Sequence, residues 1–348
     1  MAAPESTGTA ARRETVRPVP RLRPPLYEST MAERLQSQEE LVEFPAVFPH
    51  VCNGESQMTD AILLMLATGV LWALVGVVFG SAPSDRDRMF SFFAIYQTLF
   101  AAFVWIAQPP AAAPTGEVLR LAALMVPSGA MEIAAFLLLK IAMGRGSQGI
   151  AWCFSQSAMG VSFVCSVAFL GNPSTVLQWT GLALTLVALV LFAKDKPSSG
   201  ADSNDAFYWR LVFGAFALIG AGQFLRLIPE YAGFSAETLT WRLPLMSPIG
   251  AVFWLSACAV KRIWRPGSVW KVSIACAAVV ALGQVCFFAA TTAAHPLRIT
   301  SLVMPVAIGT CILLFALWCR FVRRERMSWA GWTAVALDLA GIALLSLG

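Results

Sequence analysis

The sequence predicts an all-α, polytopic membrane protein of ten transmembrane helices arranged as two inverted five-helix repeats. Three observations lead there. Of 348 residues, 57% are hydrophobic and 13% charged, and the mean hydropathy is +0.68; a soluble domain carries about 25% charged residues. The apolar residues gather into ten segments of roughly 18 or more residues with few charges, the length a helix needs to cross a bilayer. Residues 117–193 and 269–347 also repeat one pattern of three closely spaced apolar segments. A shift of 152 residues sets Glu132 against Gln284 and Phe136 against Phe288, and a shift of 150 sets Trp179-Thr180-Gly181 against Trp329-Ala330-Gly331. Regular self-similarity of this kind reads as a duplication. An odd number of spans per copy turns the second copy upside down relative to the first.

Residues 1–58 come first and are rich in Pro, Arg, Glu and Ser, with no apolar run that could serve as a secretory signal, so a disordered tail is expected. Met58-Thr59-Asp60 stands directly ahead of the first span, so one expectation is that synthesis starts at Met58; a regulatory tail is the other reading. The first repeat, 59–193, holds expected spans at 60–80, 89–107, 118–142, 149–170 and 176–193. The third contains Pro127-Ser128-Gly129, the fourth runs into the turn Gly171-Asn172-Pro173, and the fifth opens on Trp179-x-Gly181. The second repeat, 207–348, holds spans at 208–227, 238–260, 270–292, 298–319 and 328–347. Its first span carries the small-residue run Gly220-Ala221-Gly222, which permits close helix approach. Pro244 and Pro248 interrupt the seventh span and Pro305 the ninth, and such prolines often border cavities where neighbours resatisfy the backbone.

Charge placement orients the chain. Of 19 Lys and Arg beyond residue 58, fourteen fall in loops after odd-numbered spans and three, Arg120, Arg226 and Arg298, in the even-numbered loops. Basic loops stay in the cytosol, which puts both ends of the ten-helix unit outside a plasma membrane, or the inner membrane of a Gram-negative cell. The eight cysteines lack metal-type spacing and imply no disulfide framework. The net charge of +5 is absorbed by this orientation, and nucleic acid is not expected as a partner.

Ionisable groups at membrane depth are costly and mark function. Glu132 lies mid-span with Lys140 two turns on. A carboxyl there can alternate between protonated and ionised forms, so Glu132, Lys140 and Asp338 are the proton-coupling candidates, Asp338 alternatively being held by Ser or Thr hydroxyls. The substrate-binding candidates are Trp72, Glu132, Trp152, Gln156, Gln223, Arg242 and Gln284, since aromatic faces and amides suit a sugar or another polar metabolite. Arg226, near the end of the sixth span, is expected to snorkel to the outer surface. His295 is read as a solvated loop residue.

From about residue 59 to its end the chain resembles the drug/metabolite transporter superfamily, the EamA-like ten-helix carriers. The resemblance rests on Arg242 early in the seventh span, on Gly171-Asn172-Pro173, and on the two Trp-x-Gly motifs; Asn172 departs from the acidic residue usual in that turn, and Gln97 stands near where the second half has Arg242. Trp72-Ala73-Leu74-Val75-Gly76, Gly129-Ala130-Met131 and Gly146-Ser147-x-Gly149 are similar to the sugar-carrying branch. The resemblance implies a secondary active carrier of a small polar, sugar-like metabolite, working by alternating access with the proton as possible coupling ion. An exporter of amino acids or amphipathic drugs is the alternative; a non-transporting receptor or an intramembrane enzyme follows behind. No cofactor, no metal and no ATP-binding motif is expected. Membrane lipid and a small molecule are the expected partners, and the sequence leaves the oligomeric state open.

Overall fold

The computed structural model describes residues 54–171, 174–194, 206–294, 297, 299, 302–325 and 327–347. Residues 1–53 of the expected tail, Asn172, Pro173 and His295 lie outside them. The chain forms α1 (Gly54–Ser81), α2 (Arg86–Ala107), α3 (Thr115–Met143), α4 (Gln148–Gln156), α5 (Met159–Leu170) and α6 (Val176–Lys194). There follow α7 (Ala206–Tyr231), α8 (Ala236–Leu239), α9 (Arg242–Lys261), α10 (Pro266–Ala294), α11 (Val303–Phe321) and α12 (Trp329–Leu347). The described residues contain no strand. With α4–α5 and α8–α9 each taken as one interrupted segment, ten segments of 18 to 29 residues are long and apolar enough to cross a membrane.

Local chemistry sets the ends. Asp85 accepts a hydrogen bond from the Arg88 N–H at 3.1 Å and so caps α2. Ser147 does the same for α4 through Ile150 N–H. Pro266 opens α10, where its missing N–H costs nothing. Gly171 ends α5 at φ +67°, a left-handed backbone that favours glycine.

Two interruptions differ from the sequence reading. The fourth span, expected to be continuous, breaks between Gln156 and Met159. There the Ser155 hydroxyl bonds back to the Trp152 carbonyl at 2.8 Å, the Ser157 hydroxyl lies between the Cys153 carbonyl and the Asp338 carboxylate, and the backbone tightens into i→i−3 bonds at Ala158 and Gly160. The ninth, expected to be broken by Pro305, is not: α11 starts at Val303, so Pro305 sits in a first turn that has no N–H partner to lose. In the seventh the break falls at Thr240 and Trp241, before the prolines, and α9 carries Pro248 inside it.

Contacts between helix ends show that successive long segments alternate in direction. At one end Lys140 of α3 donates to the Phe79 and Ala82 carbonyls at the close of α1, 2.7 Å for Phe79. There too Tyr208 donates to the Ser147 carbonyl at 2.9 Å, Ser147 and Gly149 donate to Glu325, and Arg265 N–H bonds Ser91. This is the end of the basic loops, with Arg86, Arg88, Arg145, Lys261, Arg262, Arg320 and Arg323. At the opposite end Glu117 accepts from Ser235 and Thr238 at 3.0 and 2.7 Å, and Trp241 donates to the Ala111 carbonyl at 2.8 Å.

The apolar core divides along this axis. One large cluster has its aromatic centre toward the basic-loop end, at Phe79, Phe92, Phe93, Tyr96, Trp152, Trp254 and Phe315, and reaches Val104 and Ile342 toward the other. Two smaller clusters at the opposite end stay apart: Ala61, Met65, Ala290, Ala294 and Val303 join α1, α10 and α11, while Leu121, Met125, Phe234 and Met246 join α3, α9 and the turn before α8. Around the outside, large apolar side chains such as Leu63, Leu186, Phe213, Val252 and Leu282 are exposed.

Packing repeats between the two halves. α1 packs on α10 as α7 does on α3, α1 on α11 as α7 on α5, and α2 on α10 as α9 on α3; α2–α9, α4–α11 and α6–α12 pair counterpart with counterpart. The correspondence holds at atomic detail. A Cβ on Gly69 would lie 2.5 Å from Thr310 Cβ and 2.6 Å from the Ala307 oxygen, and one on Gly220 2.5 Å from Val161 Cβ and 3.0 Å from the Ala158 oxygen. The glycines are 151 positions apart, and each pair of neighbours 149 apart. Likewise Gly283 would meet Leu71, and Gly222 would meet Met131, in the same register.

The tightest seam is α6 against α12, where a Cβ on Gly181 would sit 2.6 Å from the Gly341 oxygen and 2.7 Å from Leu345 N. Backbone atoms cannot swing aside. Gly181→Val is expected to lower the thermal midpoint of the detergent-purified protein by an overpacking cost of about 1–3 kcal/mol or to abolish folding, whereas Leu186→Ala on the exposed face of the same helix leaves the midpoint nearly unchanged.

Candidate functional site

The middle of α3 presents Ser128, Glu132 and Phe136 one turn apart on a single face. Ser128 is fully buried and donates to the Gly222 carbonyl of α7 at 2.9 Å. Phe136 packs on Phe79 of α1, ring centroids 5.3 Å apart. Glu132 lies between them, so it faces the interior of the bundle. It forms an ion pair and hydrogen bond with Arg226 Nη2, and Arg226 Nε donates to Ser128 Oγ at 3.0 Å.

Helix direction explains the pair. Side chains lean toward the N-terminus of their own helix, and α3 and α7 run antiparallel. Glu132 therefore leans toward the end away from the basic loops, and Arg226 leans inward to meet it. This corrects the expectation for Arg226: reaching the outer surface would require it to lean toward the C-terminus of α7. The pair is not sealed, since 34% of the Glu132 side chain and 37% of the Arg226 side chain stay accessible. Arg226 uses two of its five N–H donors, and no protein acceptor meets the other three among the described residues.

Beneath the pair lies an aromatic floor. Phe79 contacts Phe92, Phe93, Tyr96, Phe136 and Trp152, with centroids 5.3 to 6.4 Å apart. Both α1 and α3 rise from this floor in the same direction. At 1.5 Å per residue Glu132 stands about 6 Å above Phe136, and Trp72 about 10 Å above Phe79. Trp72 meets Phe287 of α10 at 5.7 Å, and its indole lies against Gly283, which sets the neighbouring Gln284 at the same level. Counterpart positions differ: Gln284 stands for Glu132, Val280 for Ser128 and Val75 for Arg226, so the charged pair occupies only the α3–α7 side.

The other candidates distribute as follows. Trp152 is 2% exposed and belongs to the floor, packed on Phe315 with its indole N–H toward Cys311 Sγ at 3.4 Å. Gln156 is half-buried at the last turn of α4. Gln223 is half-buried and accepts from Ser162 of α5 at 3.2 Å. Arg242 is the first residue of α9, directly after the break. Gln97 is buried with its amide on Gly250 of α9. Lys140 is 1% exposed and holds the carbonyls that end α1, so it is turned away from Glu132. Asp338 is fully buried and accepts from Ser157 at the α4–α5 break at 2.6 Å, the hydroxyl partnership that the sequence offered as one alternative. Sequence reasoning missed Ser128 and the Arg226 contact, and also Glu325, whose carboxylate receives the Ser147 hydroxyl at 2.8 Å and the Gly149 N–H at 3.2 Å at the start of α4. For Ser128 and Arg226 the signal was present only in the Gly220-Ala221-Gly222 run, whose Gly222 lies on Ser128 of α3; nothing in the sequence signalled Glu325. No group of three metal-ligating side chains occurs among the described residues.

The buried Lys140 and the half-buried Arg226 have separable roles. Lys140→Met takes the Lys140 donor from the Ala82 carbonyl, at about 1–3 kcal/mol, and leaves Phe79 with only the Ala82 N–H at 3.3 Å, so it is expected to lower the thermal midpoint at every pH. Glu132→Ala strands the Arg226 charge and destabilises more than Glu132→Gln, which still accepts a hydrogen bond. Thermal unfolding of the three purified variants across pH 5 to 9 checks this.

No protein-family profile and no curated protein matches this chain. Twenty solved chains match it in fold. One of them, described only as "Crystal structure of protein", aligns with 83% of this chain and 97% of its own length at a TM-score of 0.54 and 14% identity, a likeness that establishes shared fold and nothing further.

Proposed function

We propose that the chain is a multi-pass plasma-membrane carrier built of two inverted five-helix repeats, which moves a small polar, sugar-like metabolite by alternating access. The observation that carries this reading is the repeated packing of the two halves around one unequal polar level. A duplicated frame can rock between two arrangements of similar energy, because each contact on one side has a counterpart on the other. The exposed apolar belt fits a lipid surround. The basic loops would face the cytosol, leaving both ends of the ten-helix unit outside.

On this orientation the aromatic floor lies on the cytosolic side of the Glu132–Arg226 pair, and the two minor apolar clusters lie on the outer side. Substrate would enter between the α1–α10–α11 and α3–α9 groups and reach Trp72, Gln284 and the Glu132–Arg226 pair. Resemblance to the drug/metabolite carriers supports the same reading. Trp72 and Phe287 offer a flat apolar face, and the amides offer donors and acceptors to hydroxyls.

Purified protein in proteoliposomes is expected to exchange a polar metabolite from a panel of sugars, sugar acids and amino acids, and Gly283→Leu, which displaces Trp72, should slow that exchange at least tenfold. Single cysteines at Asp85 and at Ala111 are expected to react with a membrane-impermeant maleimide from opposite faces, Ala111 from outside. Absence of exchange for every compound, or labelling of both sites from one face, would overturn the reading.

A further inference from the structure

We propose that the substrate is a polyhydroxylated carboxylate, a sugar acid, whose carboxylate docks on the open edge of Arg226 while Glu132 takes up one proton. This rests on the carrier reading above and specifies the ligand at the same site.

Three N–H groups that no acceptor among the described residues meets, on a partly accessible guanidinium, form a fork that matches a carboxylate in two parallel hydrogen bonds. A neutral sugar would leave that fork underused, and a cation would be repelled by it. Charge balance supplies the rest. The Glu132–Arg226 pair is neutral, so adding one anion makes the cluster net negative among apolar helices, where an uncompensated charge is expensive. Protonating Glu132 restores neutrality. The proton enters with the substrate from the same aqueous side, the substrate stays ionised, and one anion with one proton crosses per cycle with no net charge moved.

Among the described side chains no other charge faces the pair to do this instead; on α7 Arg210 stands sixteen residues before Arg226, and the Glu230 side chain lies outside the described ones. From α2 the group near Glu132 is Tyr96. On α9 the charged residues, Arg242 and Lys261, stand at its two ends, and α8 carries only Glu237. The α4 segment has none, α1 has only Glu55 and Asp60 in its first turns, and Lys140 is engaged with the end of α1. Trp72 with Phe287 suits the apolar face of a sugar ring, and Gln284 suits its hydroxyls. An amino acid could set its ammonium on Glu132 and its carboxylate on Arg226 without any proton, and the test separates that case.

The experiment uses the full chain in proteoliposomes with radiolabelled D-glucuronate, D-glucose and L-leucine. Expected are counterflow of D-glucuronate and of neither comparator, and accumulation approaching tenfold for an inside-alkaline gradient of one pH unit, unaltered by a potential imposed with potassium and valinomycin. Arg226→Lys, which keeps the charge, should raise the KM for D-glucuronate at least tenfold, and Glu132→Gln should remove the response to the pH gradient while slower counterflow remains. If D-glucose or L-leucine exchanges and D-glucuronate does not, the carrier reading stands and this inference falls. If none of the three is exchanged but other polar metabolites are, the carrier reading again stands without this inference; if no compound is, both fall. Accumulation driven by the potential and indifferent to pH would overturn the proton step.

Discussion

Polar groups set among apolar helices must find their partners within the protein, and nearly every tie that fixes this bundle is such a settlement. The ammonium of Lys140 lies on the Phe79 and Ala82 carbonyls at the close of α1, so α3 and α1 are held at one end by a charge meeting a helix dipole. Glu325 meets the opposite pole at the start of α4, and Glu117 does so at the turn into α8. In each case a side chain from one long helix or its loop completes the backbone of another. The ends of the helices are thereby joined by hydrogen bonding, and the midsections by glycine-mediated backbone approach.

The polar centre follows from the same requirement, with one difference. At Glu132 and Arg226 neutrality is reached by two side chains that keep a third of their surface accessible. The settlement is therefore revisable, because a third group can join it without dismantling a helix end. The counterpart level of α1 and α10 holds Val75, Val280 and Gln284, which make no such demand. The helix packing recurs on both sides, and the charged pair stands on the α3–α7 side.

Much of the architecture was legible in the chain because length and hydropathy are properties of a helix taken all round. All ten segments lie where the apolar runs lie, within a few residues at each end. The α4–α5 break was not legible, since it turns on whether Ser155 and Ser157 bond their own backbone, a competition that only the packed neighbour Asp338 decides. The inward lean of Arg226 was hidden for a related reason: its partner lies 94 positions away, and the direction in which it leans is fixed by which helix stands beside it. Trp152 looked like a wall residue in sequence and lies in the floor, because Gly76 opens the space that its ring fills. Glu132 itself was legible, as an isolated carboxyl in an apolar run with no local partner.

The crossing of α6 and α12 at Gly181 and Gly341 has a mechanical consequence. At the other glycine crossings the backbone of one helix approaches the other on one side only, as Gly69 does the Ala307 oxygen, and neighbouring side chains share the contact. Here main chain rests directly on main chain, with Thr185 wedged against the same glycine. Such a joint has no intermediate positions: it stays closed or it separates along its whole length. The two helices therefore form the keel of the molecule, a fixed reference against which any displacement of the remaining eight segments has to be measured.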